Sequence, residues 1–158
     1  MNRALQLAAL GNLNAAPNPL VGAVVVHQGK IIGEGYHRAC GEAHAEVNTI
    51  QSVSNKSLLS ESTIYVTLEP CSHFGKTPPC ADLIIQHNFK RVVICNLDPF
   101  EKVAGNGIKK LQAASIEVES GCLEKKGRHL NRRFFCFHEK KRPYIILKWA
   151  ESADGFIG

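Results

Sequence analysis

The 158-residue chain reads as an α/β protein, a three-layer α/β/α sandwich around a mixed five-stranded sheet. Three observations predict this. Short apolar, β-branched runs alternate with helical stretches along the chain, the pattern of a sheet buried between layers of helices. The first two runs are separated only by Gln28-Gly29-Lys30, a hairpin turn of the kind glycine permits. A later apolar run ends in Glu69-Pro70-Cys71, and Pro79 then opens a helix, so polar residues collect where strands end and helices begin.

Taken in order, residues 2–10 carry a helical stripe, and residues 21–27 and 31–36 are the hairpin strands. Residues 43–53 read as a helix and residues 63–67 as a β-branched strand. Proline suits a first helical position, so Pro79 starts a helix that runs to about residue 87. Residues 91–95 form a strand, 107–114 a helix, 116–119 a strand, and 123 to about 139 a last helix. No internal repeat or low-complexity segment interrupts the series.

Bulk properties bound the answer without deciding it. The length is that of one ordinary domain with a real core. No apolar run approaches membrane-spanning length, and no charged-then-apolar leader is present. Six cysteines at irregular spacing, two of them claimed below by a metal, suit reduced thiols in the cytoplasm better than a disulfide framework. The formal charge of +5 suits an anionic small molecule as well as RNA.

The chemistry is concentrated in His44-Ala45-Glu46, Pro70-Cys71 and Cys80. One His and two Cys are the ligand set of zinc hydrolytic deaminases, in which a Glu two residues past the His moves protons without binding the metal. Three protein ligands leave the fourth tetrahedral position open, as catalysis requires. Zinc there makes hydroxide available near pH 7, and Glu46 passes protons to a ring nitrogen and to the departing amine. A helix N-terminus favours the anionic Glu46 and stabilises the thiolates of Cys71 and Cys80. The spacing departs from the common form. Eight residues, Ser72 to Pro79, separate the two cysteines where the common pattern has two. Either the site is of another kind, or the inserted loop has a further task.

Four segments carry a specific resemblance: Asn18-Pro19-Leu20-Val21-Gly22-Ala23-Val24-Val25-Val26, Gly41-Glu42-Ala43-His44-Ala45-Glu46, the run Glu69-Pro70-Cys71-Ser72-His73-Phe74-Gly75-Lys76-Thr77-Pro78-Pro79-Cys80, and Asp98-Pro99 with Val103-Ala104-Gly105-Asn106-Gly107. Together they resemble the deaminase domain of the bacterial riboflavin biosynthesis (RibD) family, over essentially the whole chain. The resemblance implies a cytidine deaminase-like fold with bound Zn²⁺. It also implies hydrolytic deamination of 2,5-diamino-6-ribosylamino-4(3H)-pyrimidinone 5′-phosphate to 5-amino-6-(5-phosphoribosylamino)uracil and ammonia. It further divides the chain into a zinc-dependent deaminase domain at residues 1–142 and a linker with an apolar strand at residues 143–158. That strand resembles the opening of the reductase domain that follows the deaminase in the bifunctional proteins and uses NADPH. The expectation is a fragment without reductase activity; the alternative is an edge strand of the deaminase domain itself.

Substrate contacts follow from the same resemblance. Asn18 matches a position that holds the pyrimidine, and its amide both donates and accepts; as an alternative it is an ordinary turn residue. His37 flanks the segment entering the zinc helix and is a candidate contact, or else an exposed strand-end histidine. His73, Lys76 and Thr77, on the loop between the cysteines, suit a ribose phosphate; the alternative is a solvated lysine on a surface loop. Asp98 is a candidate for the ribose or the ring, or the start of a turn. The basic residues from Lys125 to Arg133 and at Lys140-Lys141-Arg142 read as solvated surface, so no nucleic-acid or membrane partner is expected, while a homo-oligomer is compatible with the family. Two rival functions remain: a nucleobase or tRNA adenosine deaminase of the same superfamily, and a non-catalytic domain that zinc merely stabilises.

Overall fold

The computed structural model describes residues 1–73, 78–100 and 104–157. Five strands form one sheet: β1 (Gly22–His27), β2 (Lys30–Tyr36), β3 (Thr63–Leu68), β4 (Arg91–Asn96) and β5 (Glu117–Ser120). Their order is β2-β1-β3-β4-β5. β1 pairs antiparallel with β2 and with β3, whereas β3–β4 and β4–β5 are parallel, so the sheet is mixed as expected. The hairpin turns at Gln28 and Gly29, whose φ of 47° and 76° are both left-handed, the combination that a two-residue loop joining twisted strands demands.

The described residues form six α-helices: α1 (Asn2–Ala9), α2 (Ala45–Ser52), α3 (Cys80–Gln86), α4 (Asn106–Ala113), α5 (Glu124–Leu130) and α6 (Arg132–Lys140). α1 and α5 lie on one face, and α2, α3 and α4 on the other. Alternation along the strands sorts side chains between these layers. Ala23, Val25, Ile64 and Val66 join Ile50, Ile84, Ile94 and Leu111 in the main core, while Val24 turns to Ala4 and Leu7 of α1. Among the described residues no helix is long and apolar enough to cross a membrane.

The structure departs from the sequence reading at several places: Pro79 caps α3 with ψ 140° rather than opening it, and short 3-10 helices at Asn12–Ala15 and Lys56–Glu61 stand where no element was read. α2 begins at Ala45 rather than at residue 43, because His44 is its capping residue, with extended backbone at φ −68° and ψ 162°. The last helix is two helices, broken at Asn131, whose φ of −99° and ψ of 27° leave the helical range. The Asn131 amide is spent elsewhere: Oδ1 accepts from Leu20 N at 2.8 Å, and Nδ2 donates to Leu20 O at 2.8 Å. Residues 143–150 form no strand; Ile145, Leu147 and Trp149 are exposed, and the nearest regular pairing is a single bridge between Glu151 and Ile157. An apolar run without a neighbouring strand to complete its hydrogen bonds has no reason to hold extended structure.

Candidate active site

The carboxyl ends of β3 and β4 point to the starts of α2, α3 and α4, and the candidate residues gather there. β3 runs out through Leu68 to Glu69-Pro70-Cys71, and α3 begins at Cys80 after Pro79. The Cys71 loop is tied to that helix start: Cys71 Sγ accepts from Cys80 N at 3.3 Å and Cys71 O accepts from Ala81 N at 3.1 Å. His44, capping α2, brings Nδ1 to 3.2 Å from Cys80 Sγ and 3.6 Å from Cys71 Sγ. All three ligand atoms lie within 4.8 Å of one another. Tetrahedral zinc with ordinary bond lengths separates nitrogen from sulfur by about 3.6 Å and the two sulfurs by about 3.8 Å. One imidazole and two thiols at these separations fit zinc.

Electrostatics at the cluster agrees with a ligand role. The Cys71 thiol is lowered to about 4, first because the Cys80 thiol donates to it and then because His44 does; Cys80 is raised in return. His44 is raised because it bonds the Cys71 sulfur. Glu46, in the first turn of α2 and 3% exposed, is pushed up to about 7, mainly by burial and then by the negative charge of Cys71. A carboxyl poised near neutrality beside three metal-type ligands can take up a proton and give it back.

A cavity of about 290 Å³ opens on this cluster, lined in part by Asn18, His37, Glu46, His73 and Asp98. The exposed Asn18 donates from Nδ2 toward His37 Nε2 at 3.0 Å. His37 is only 3% exposed, so the reading of it as an exposed strand-end histidine does not hold: its ring is packed edge-on against His44, with centroids 5.7 Å apart. His73 is an exposed cavity residue and is not part of the three-ligand cluster. Asp98 is half-buried, with its carboxyl raised by that burial, and Oδ1 accepts from Phe100 N at 2.8 Å. Lys76 and Thr77 lie outside the described residues.

Four side chains at the site went unread in the sequence. Glu69 is 4% exposed and gathers four backbone N–H groups: Oε2 accepts from Asp98 N at 3.3 Å and Gly105 N at 3.0 Å, and Oε1 from Gly107 N at 3.0 Å and Ile108 N at 3.4 Å. It thereby holds the loop bearing Asp98 and the start of α4. Glycine is required at 107, where a Cβ would lie 2.2 Å from Pro70 O. Phe100, Phe134 and His138 complete the cavity wall, the last two from α6, with the Phe134 and His138 rings 4.5 Å apart. A Glu directly before the Pro-Cys pair was the one available signal; nothing local marks the α6 aromatics.

Comparison with known proteins now places the chain. The family model for the cytidine and deoxycytidylate deaminase zinc-binding region matches residues 1–96. The chain belongs to this family. The matched region contains His44, Glu46, Cys71 and Cys80 but ends before Asp98, Phe100 and α6. Among relatives, the chain is 50% identical over 155 residues to the riboflavin biosynthesis protein RibD of Aquifex aeolicus strain VF5, covering 98% of this chain and 43% of that protein. It is 47% identical over 135 residues to the diaminohydroxyphosphoribosylamino-pyrimidine deaminase of Buchnera aphidicola subsp. Schizaphis graminum, covering 85% and 90%. The structure of a diaminohydroxyphosphoribosylaminopyrimidine deaminase/5-amino-6-(5-phosphoribosylamino)uracil reductase from Thermotoga maritima superposes with a TM-score of 0.91 at 47% identity, over 98% of this chain and 44% of that one. The chain therefore spans less than half the length of the Aquifex RibD protein and of the Thermotoga deaminase/reductase, and 90% of the length of the Buchnera deaminase.

Proposed function

We propose that this chain catalyses the zinc-dependent hydrolytic deamination of 2,5-diamino-6-ribosylamino-4(3H)-pyrimidinone 5′-phosphate to 5-amino-6-(5-phosphoribosylamino)uracil, with release of ammonia. The observation that carries the reading is the 47% identity to a deaminase of that name of which the chain covers 90%, joined to a His-Cys-Cys cluster opening on one cavity. His44, Cys71 and Cys80 would hold zinc, which when bound supplies the Lewis acidity that brings hydroxide within reach of neutral pH. Glu46 takes one proton of the attacking water and delivers it to the ring nitrogen beside the carbon under attack, then takes the remaining proton of the added oxygen and passes it to the amine as the carbon–nitrogen bond breaks. Water is added and ammonia leaves, so no oxidant or reductant is needed.

Asn18 is assigned to one edge of the pyrimidine, Asp98 to the ribose or ring, and His73, Lys76 and Thr77 to the phosphate end. The deaminase unit is assigned to residues 1–142, since regular helices end with α6 at Lys140 and residues 143–150 are exposed and join no strand. A small-molecule substrate in the cytoplasm suits thiols kept reduced for a metal.

The test is ammonia release from the phosphorylated diaminopyrimidinone, set beside adenosine-bearing RNA, guanine and cytidine. Turnover of the first alone is expected. Turnover only of the others sinks the substrate assignment, and no turnover by zinc-loaded protein favours a domain that zinc merely stabilises.

A further inference from the structure

We propose that His37 is a positioning residue: it fixes the flip of the Asn18 amide, so that Asn18 offers its Oδ1 and one N–H to the ligand. The inference rests on the proposed aminopyrimidine site and specifies how that site reads the ring.

The ring of His37 has no freedom to choose. Its backbone N donates to Val21 O at 2.9 Å, anchoring the residue where β1 and β2 enter the site. Its Nδ1 lies 3.1 Å from Ala43 O, directly before the metal-ligand histidine. A carbonyl oxygen only accepts, so Nδ1 must carry the hydrogen. Turning the ring over would replace Nδ1 by a carbon and abandon that bond, and the His44 ring packed against it limits the space for turning. Ala43 O is itself fixed by a second donor, Asn48 Nδ2 at 3.3 Å, which also donates to Tyr36 O at 2.8 Å.

With Nδ1 protonated, Nε2 of a neutral ring is a bare acceptor. Its partner at 3.0 Å is the Asn18 amide, and only the NH₂ side of that amide can satisfy it. The opposite flip would set two acceptors against each other inside a site where His37 is almost fully enclosed, leaving a polar atom unpaired. One N–H of Asn18 is therefore consumed, and the carbonyl oxygen and the second N–H are left for a ligand in the cavity that Asn18 lines. A ligand edge must then supply a hydrogen-bond donor to Oδ1. An aminopyrimidinone edge, with ring or exocyclic N–H beside an acceptor, does so; an edge with acceptors only leaves Oδ1 unpaired and is rejected. His37 thus sets the specificity of Asn18 by holding its amide.

Two measurements decide it. Long-range proton–nitrogen spectra of zinc-loaded protein labelled with ¹⁵N-histidine, with His37 assigned by its loss in His37→Gln, are expected to show Nδ1 protonated and Nε2 bare. A proton on Nε2, alone or with one on Nδ1, overturns the proposal whatever the substrate is. In the deaminase assay, His37→Phe is expected to raise KM about tenfold with kcat little changed and zinc content intact. His37→Gln, whose amide oxygen can still accept from Asn18, is expected to recover most of that loss. If His37 acts through Asn18, the double variant with Asn18→Ala is no worse than Asn18→Ala alone. Additive losses mean that His37 acts on its own and sink the idea. Wild-type protein that never turns over the diaminopyrimidinone phosphate refutes the functional reading instead, and the spectra still judge His37.

Discussion

Glu46 is an acid whose surroundings oppose its charge. Its ordinary value is 4.5, and burial together with the Cys71 charge lifts it to about 7. In metal-stripped protein the consequence for stability has a definite sign. Below pH 4.5 the carboxyl is protonated both folded and unfolded, so Glu46→Gln changes little. As pH rises toward 7 the unfolded chain ionises first, and the wild type loses stability until the folded group ionises too. Above about pH 7 the glutamine variant should be the more stable, by up to about 3 kcal/mol at 1.36 kcal/mol per unit. Urea melts of the two proteins at pH 4.5 and pH 8 check this, and a gap that does not widen with pH contradicts it. The same variant should lose turnover by about 10²–10⁴-fold while retaining zinc, since proton transfer is what the carboxyl supplies and its oxygens are outside the ligand set. Loss of metal along with activity would make Glu46 a ligand instead.

Elements here are held by single polar side chains acting far along the chain, and that explains what sequence could and could not reveal. Glu69 anchors the Asp98 loop and the start of α4 with one carboxylate. Glu69→Gln converts one of its oxygens into a donor facing backbone donors, so we predict a loss of about 2–3 kcal/mol by denaturant melting. Gly127 lets α5 press onto β4, where a Cβ would meet Asn96 Oδ1 at 1.9 Å and Cys95 Sγ at 2.5 Å. Both neighbours are buried, and Asn96 Nδ2 is committed to Glu124 O at 3.1 Å, so neither can swing aside freely. Gly127→Ala should cost about 1–3 kcal/mol, measured the same way; an unchanged midpoint would mean that α5 shifts easily. Strand and helix periods are local, so every strand and five of the helical positions were readable from the chain. The break at Asn131 was not, because helical periodicity runs through it, and the amide that breaks it bonds Leu20, 111 residues away. The candidate cluster of His44, Cys71 and Cys80, with Glu46 beside it, was legible because metal chemistry restricts residue types and order. Phe134 and His138 were not, since an aromatic on a terminal helix reads equally as core or surface until the path of α6 is known.

At the scale of the molecule, the question is whether the metal holds the fold or only finishes the site. The ligands tie three elements together: the start of α2, the loop after β3 and the start of α3. The main core meets the ligands only at its edge, through Ala45 and Ala81 beside His44 and Cys80, while Ile64, Val66, Val92, Ile94, Phe89 and Leu111 pack between the sheet and its helices. A chain of this length buries enough apolar surface to fold on such a core, unlike a small zinc finger. Chelation should therefore remove only the binding term, about 3–4 kcal/mol at zinc concentrations of 100 to 1,000 times Kd, or roughly 5–15 °C in Tm. Hydrogen exchange should then quicken at the start of α2 and α3, while β1, β3 and β4 stay protected. A non-catalytic, zinc-dependent domain makes the opposite forecast, because its binding energy is its folding energy and all amides lose protection together. Exchange measured on metal-loaded and metal-stripped protein at one pH separates the two. Global loss of protection would turn the cluster from an unfinished reaction site into a fold-holding one, and an enzymatic reading of the cavity would lose its physical basis.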